Sequence, residues 1–301
     1  MMERRAMRPG GRPCRAVAVG LLAALAVAAV PAAAADDVGV RIAQTPTGVR
    51  YGLWGAAAGR PAPLLVVLAK TIDGTLGDPV YRQAGNSLAA PSSGGDPVLC
   101  ASIDLPCHGL ERRDGEPAEL AGWRHRLERG EDPIAANNRR LSELLDHLVG
   151  TGLVDPRRIA VIGTSRGGFL AAHFLAHDPR VACAAAYAPV TDLAALREFH
   201  GAEAVPAVRM AALHRIADAL AGRPLWMTIG GNDERVGTDR AIQLAADIAA
   251  AAAARKIPGR VELRVVADSP GHTTPAGAAE QSAAWIRGRF AEAVAGPPQG
   301  R

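Results

Sequence analysis

The sequence predicts an α/β fold: a mostly parallel central sheet with helices on both faces. Three observations carry this. Short β-branched or apolar runs recur at Leu64–Leu68, Val98–Ile103, Arg158–Ile162, Val181–Ala188, Leu225–Ile229 and Val261–Val266. Segments of helical periodicity or high helix propensity alternate with them. The connections are too long for hairpins and long enough for helical crossovers.

The amino terminus is read apart from the fold. Arg4, Arg5, Arg8, Arg12 and Arg15 precede an apolar run from Ala16 to Val30, and Ala33-Ala34-Ala35 stands before Asp36-Asp37. That order predicts a signal peptide over residues 1–35, cleaved after Ala35, and hence export to the periplasm or beyond. A membrane anchor is the competing reading, but the run is short for a span and ends in small residues. Of 34 basic and 30 acidic residues, the leader holds five Arg and one Glu, leaving a balanced remainder. The sequence pI near 9.2 therefore reports targeting, not a nucleic-acid footprint. Past the leader, Cys100, Cys107 and Cys183 are an odd set without C-x-x-C spacing, so no metal centre is expected. A Cys100–Cys107 bridge remains open.

From residue 36, Val38–Ile42 and Val49–Trp54 are expected as antiparallel edge strands, Leu64–Leu68 as a buried strand and Val80–Ala84 as a short helix. Pro91–Gly95 reads as flexible, and Glu111–Asp132 as a charged, mobile segment. Ile134–Leu148 places Leu141, Leu144, Leu145 and Leu148 on one helical face. Asp155-Pro156 then turns into the strand Arg158–Ile162. Residues 192–222 are expected to be mostly helical, forming a possible cap. Thr238–Lys256 and Thr274–Val294 are the last helices, and 296–301 a disordered tail.

RIAVIGTSRGGFLAAHFLAH, residues 158–177, reads strand, very tight turn, helix, with Ser165 at the apex. That is the context a G-x-S-x-G nucleophile elbow requires. Gly163 and Gly167 leave out Cβ atoms that would strike the adjoining strand and helix. A serine hydroxyl needs an oriented base. His272 lies in DSPGHTT after the last strand, and Asp233 ends the Gly-Gly-Asn-Asp turn after Leu225–Ile229. Glu234, Asp239 and Asp192 are rivals of Asp233, while His108 and His177 read as structural or exposed.

With GTSRGG, IGGNDERV, SPGHTTP and IDLPCHG in this order, the chain resembles the α/β-hydrolase superfamily in its dienelactone hydrolase and prolyl oligopeptidase-like branch. The resemblance spans roughly Leu64 to Phe290. It implies Ser165 as nucleophile, His272 as base then acid, Asp233 as its orienter, and an acyl-enzyme intermediate. It implies backbone N–H groups for the oxyanion: one from Arg166, the other from Thr71 or Lys70, with Thr71 ranked first. One departure stands out, since the family's His-Gly after the strand Leu64–Leu68 is here Ala69-Lys70-Thr71. Lys70 is read as solvated, with attraction of a substrate carboxylate as the alternative.

The expected activity is hydrolysis of small or medium carboxylic esters by an exported serine hydrolase. The alternatives are a serine peptidase of prolyl oligopeptidase-like type or a carbohydrate deacetylase. Outside enzymes, the alternative is a hydrolase-fold binding protein. The size of the chain past the leader leaves no space for the large access-restricting domain of the prolyl oligopeptidases. The expected partner is a small ester or acylated substrate, with no cofactor, metal, nucleic acid or lasting membrane anchor.

Overall fold

The computed structural model describes residues 39–55, 61–90 and 97–295. The expected leader and its cleavage point, the flexible Pro91–Gly95 and the tail at 296–301 lie outside the described residues.

An eight-stranded sheet runs through the described residues. Its strands are β1 (Arg41–Gln44), β2 (Arg50–Trp54), β3 (Ala62–Leu68), β4 (Leu99–Ser102), β5 (Val154–Thr164), β6 (Val181–Tyr187), β7 (Leu225–Gly230) and β8 (Val261–Val266), in spatial order β1-β2-β4-β3-β5-β6-β7-β8. β1, β2 and β4 pair antiparallel, and β4-β3-β5-β6-β7-β8 are parallel throughout. The helices are α1 (Ile72–Leu76), α2 (Pro79–Ala89), α3 (Glu119–Glu128), α4 (Pro133–Gly150), α5 (Arg166–His177), α6 (Pro206–Met210), α7 (Ala217–Leu220), α8 (Thr238–Ala254) and α9 (Ala278–Ala295).

β3 shows why the sequence reads as it does. All seven of its residues are buried, because helices cover both faces of a parallel sheet. Its side chains alternate. Leu64, Val66 and Leu68 join the core shared with α4, α5 and α8, and Leu65 and Val67 join the core shared with α2 and α9. The helix α5 is buried along nine consecutive residues, Gly167 to Leu175. An element enclosed on all sides carries no polar stripe. His173 is the exception: its ring donates from Nε2 to the Ala211 carbonyl at 2.9 Å, and burial holds its pKa down to about 4.

Several expectations shift. The mobile segment is instead fixed in place: Trp123 of α3 is wholly buried and donates to the Pro106 carbonyl at 2.6 Å. Arg126, 4% exposed, binds both Glu116 carboxylate oxygens, at 2.8 and 3.0 Å. A charge-rich sequence is thus folded inward by pairing. The strand β5 begins at Val154, and the expected Asp155-Pro156 turn is a register irregularity within it. The closing helix starts at Ala278 rather than Thr274, after Gly277 takes a φ of 72°. The helix α1 has no counterpart in the sequence reading.

Residues 192–222 break into short helical turns, including α6 and α7. Leu193, Leu196, Phe199, Val208, Leu213 and Leu220 all lie wholly buried in the core shared with α5. This segment is built into the molecule on the α5 side. Cys100, Cys107 and Cys183 are all buried free thiols, and burial pushes Cys100 up to about 12. No helix among the described residues is long and apolar enough to cross a membrane.

The Glu116–Arg126 pair gives a pH prediction. The hydrogen bond from Arg126 holds the Glu116 carboxyl at about 2, below its ordinary 4.5. A depressed folded-state pKa contributes stability that is full above 4.5 and is lost as pH falls toward 2. Glu116→Gln is expected to flatten the fall of the thermal midpoint between pH 4.5 and 2. A wild-type slope in that variant would contradict it.

Candidate active site

Ser165 occupies the sharp junction between β5 and α5, with φ 55° and ψ −115°. A non-glycine residue there costs on the order of 1–3 kcal/mol, and surrounding structure must enforce it. Three backbone hydrogen bonds do so. Ser165 N donates to the Tyr187 carbonyl at 2.8 Å, and its own carbonyl accepts from Phe169 N and Val190 N, each at 3.1 Å. The glycines on either side are steric requirements. A Cβ on Gly163 would run into the backbone of Gly167, and one on Gly167 into the Leu68 carbonyl at the end of β3.

A serine at a helix start ordinarily accepts from an N–H of the first turn. Ser165 makes no such bond. Its Oγ lies 3.0 Å from His272 Nε2, and His272 Nδ1 lies 2.8 Å from Asp233 Oδ2. Asp233 follows β7, and His272 lies in the loop between β8 and α9. An ionised carboxylate only accepts, so Nδ1 carries the proton and Nε2 offers its lone pair to the serine hydroxyl. The Asp233 side chain is fully buried while His272 is 28% exposed. Asp233 Oδ1 accepts from Arg235 N at 3.1 Å and Val236 N at 3.2 Å, and Thr238 Oγ1 accepts from Asp233 N at 3.1 Å. Both oxygens are thus satisfied, and the loop is clamped around them.

The rivals of Asp233 go elsewhere. Asp192 accepts from Ala194 N at 3.0 Å and pairs with Arg240 at 3.5 Å. Neither Glu234 nor Asp239 bonds His272 among the described residues. A cavity of about 510 Å³ opens against the same loop, between Ala195 and residues 231–240, but includes neither Ser165 nor His272. The imidazole of His108 is buried; its Nδ1 donates to the Pro106 carbonyl at 2.8 Å, and burial lowers its pKa. His177 is exposed.

As the first residue of α5, Arg166 has no intrahelical acceptor for its N–H. Its side chain pairs with Glu119 and donates from Nε to the Ala69 carbonyl at 3.4 Å. In the loop after β3, Lys70 N donates to Thr75 Oγ1 at 3.1 Å, and Ile72 N donates to Asp104 Oδ1 at 2.7 Å. The Thr71 N–H between them makes no hydrogen bond among the described residues. Lys70 Nζ lies 3.6 Å from Asp78 and 5.2 Å from the Tyr81 ring centre, so its charge is already engaged. No group of three or more His, Cys, Asp or Glu among the described residues is placed to hold a metal ion. Sequence reasoning missed Asp104, whose carboxylate anchors this loop; only its place at the carboxyl end of a core strand pointed toward it.

Residues 140–291, about half of the chain, match the prolyl oligopeptidase family, the S9 peptidases. The chain belongs to that family. The fold is that of the α/β-hydrolase superfamily, and the family is one of serine hydrolases. Among solved structures it is similar to dipeptidyl peptidase 4 of Porphyromonas gingivalis, at 16% identity and a TM-score of 0.58. That likeness covers 83% of this chain and 35% of the peptidase, so the chain spans about a third of its length. A cold-adapted esterase from an Arctic intertidal metagenomic library is 19% identical, with a TM-score of 0.57, covering 83% of this chain and 92% of the esterase. An acetyl xylan esterase from Paenibacillus sp. R4 is 18% identical, with a TM-score of 0.57 and 83% of each chain covered. Such identities establish a shared fold. No curated protein sequence matches the chain.

The backbone contact between Gly167 and Leu68 gives a stability prediction for this family member. Gly167→Ala is expected to lose at least the ~1–3 kcal/mol of an overpacked core in urea unfolding. Gly168→Ala, whose added Cβ meets the Pro189 and Ala186 Cβ atoms and the Gly163 carbonyl oxygen no closer than 3.1 Å, is expected to lose less. The reverse order would contradict the elbow's packing.

Proposed function

We propose that this chain is an exported serine hydrolase that cleaves small or medium carboxylic esters through Ser165, His272 and Asp233. The observation that carries the reading is the continuous relay from Ser165 Oγ to His272 Nε2 at 3.0 Å and from Nδ1 to Asp233 Oδ2 at 2.8 Å. His272 Nε2 takes the hydroxyl proton as Ser165 Oγ attacks the ester carbonyl carbon. The resulting oxyanion is held by the N–H groups of Arg166 and Thr71. As the tetrahedral intermediate collapses, His272 returns the proton to the departing alkoxide, leaving an acyl-Ser165. Water, deprotonated by His272, attacks the acyl carbon; release of the carboxylic acid restores the serine. Asp233 holds the ring in the Nδ1–H tautomer throughout.

The partial exposure of His272 supports access by small and medium substrates. Likeness in fold to two esterases agrees with ester cleavage. A second reading, peptide hydrolysis, is favoured by membership in the prolyl oligopeptidase family. Export rests on residues 1–35: the five arginines, the apolar run and Ala33-Ala34-Ala35.

A fluorophosphonate probe followed by peptide mapping is expected to label Ser165, and only while His272 is present. Ser165→Ala is expected to abolish p-nitrophenyl acetate hydrolysis with the fold intact; unchanged turnover would overturn the nucleophile. Asp233→Ala is expected to lower kcat by about 10³–10⁴-fold, by analogy with removal of a base-orienting carboxylate. Asp192→Ala is expected to stay near wild type, and a larger loss at Asp192 would reverse that assignment. An ester and peptide panel then separates the two substrate readings.

The Thr71 N–H can be tested on its own. Thr71 sits at φ −75° and ψ 163°, a φ that proline adopts. Thr71→Pro is expected to lower kcat about 10²–10³-fold by deleting the donor. Thr71→Ala, which loses only the cap in which Gly74 N donates to Thr71 Oγ1, is expected to stay within a few-fold. Equal effects of the two would exclude the N–H from the reaction.

A further inference from the structure

We infer that Asp104, at the carboxyl end of β4, is the positioning residue for the second oxyanion donor, the Thr71 N–H. This rests on the proposed serine hydrolase reading.

The loop Ala69-Lys70-Thr71-Ile72 is held at several backbone groups, while Thr71 N makes no hydrogen bond among the described residues. The Ala69 carbonyl accepts from Arg166 Nε at 3.4 Å. Lys70 is fixed at both backbone groups, its N–H donating to Thr75 Oγ1 at 3.1 Å and its carbonyl accepting from Leu105 N at 3.1 Å. Ile72 N donates to Asp104 Oδ1 at 2.7 Å, the shortest of these bonds. The peptide plane before Thr71 is therefore anchored to Leu105 and the plane after it to Asp104, and the two together fix the direction of the Thr71 N–H between them. A hydrogen bond from a neutral N–H to a carboxylate is about twice as strong as one to a neutral acceptor, so Asp104 is the firmest of the anchors.

Asp104 is itself immobilised. Its side chain is 4% exposed. Oδ2 accepts from Leu110 N at 3.1 Å and from Arg50 at 3.3 Å, and the Asp104 carbonyl accepts from Arg140 at 2.9 Å. Gly109, at φ 51°, wraps closely around the carboxylate, where an added Cβ would lie 2.8 Å from Oδ2. A buried carboxylate with donors on both oxygens makes a stiff anchor. In the loop Ala69-Lys70-Thr71, this chain has a threonine whose N–H direction is set from the next strand.

The test is a double-mutant cycle on full-length protein with p-nitrophenyl acetate. Asp104→Ala is expected to lower kcat about 10–100-fold with KM within about twofold, because an oxyanion donor acts mainly in the transition state. On a Thr71→Pro background, the same change is expected to alter kcat less than about twofold, since the group Asp104 positions is already gone. Should Asp104→Ala not fold, Asp104→Asn serves in the same cycle. Its amide oxygen still accepts from Ile72 N while its NH2 faces the donors at Oδ2, so a loss of about tenfold is expected, again absent on the Thr71→Pro background. A kcat loss that multiplies with that of Thr71→Pro, or a folded variant of wild-type kcat, would overturn the inference. Ser165→Ala and the probe test the triad separately. If Ser165 fails, the hydrolase reading falls; if Ser165 holds and the cycle is additive, only the role of Asp104 falls.

Discussion

The site depends on one close approach: the start of α5 lies against the end of β3, with only the hydrogen of Gly167 between the helix and the Leu68 carbonyl. That contact forces the chain to reverse within a single residue, and Ser165 takes the left-handed conformation at the reversal. It also brings the loop after β3 beside the nucleophile, because Ala69 continues directly from Leu68. A larger residue at 167 would separate the helix from the strand and, with it, Ser165 from the loop that carries Thr71. The packing constraint and the arrangement for chemistry are one constraint.

Around that contact, charge is handled by enclosure. Asp233 is buried with both oxygens satisfied, one by the histidine and one by two backbone N–H groups. Such a carboxylate has no alternative partner to turn toward, which holds the imidazole still. The arginines beside the triad are likewise committed: Arg166 to Glu119, and Arg235 to both oxygens of Glu198 at 2.8 and 2.9 Å. Lys70 is drawn to Asp78 and Tyr81 on the α2 side. These three basic groups are thus each paired with partners from other elements.

How much of this the sequence discloses follows from how local each signal is. The elbow is legible because strand, turn and helix are contiguous, and the small residues the turn demands lie within six positions. Asp233 and His272 are legible because each follows an apolar β run within six residues. The helix α1 is not, since five residues held by a threonine cap and a distant aspartate carry no periodicity of their own. The order in α3 is hidden for a related reason. Glu116, Trp123 and Arg126 lie in the stretch whose charges read as mobile, and the tertiary pairing of Arg126 with Glu116 is what turns it inward. The irregular start of β5 escapes notice because Asp155-Pro156 is turn chemistry that the neighbouring strand overrides.

The parallel sheet explains why so many distant residues converge. Ligand sites in such sheets lie beyond the carboxyl ends of the strands, and every group invoked here comes from such an end. Thr71 follows β3, Asp104 follows β4, Ser165 and Arg166 follow β5, Asp233 follows β7 and His272 follows β8. β4 and β3 are neighbours, as are β3 and β5. A loop held by β4 therefore needs to span only one strand spacing to reach the nucleophile, and a side chain as short as aspartate suffices. On the proposed role of Asp104, that adjacency is what lets a carboxylate from the next strand set the N–H direction that a His-Gly turn after β3 would set by its own geometry.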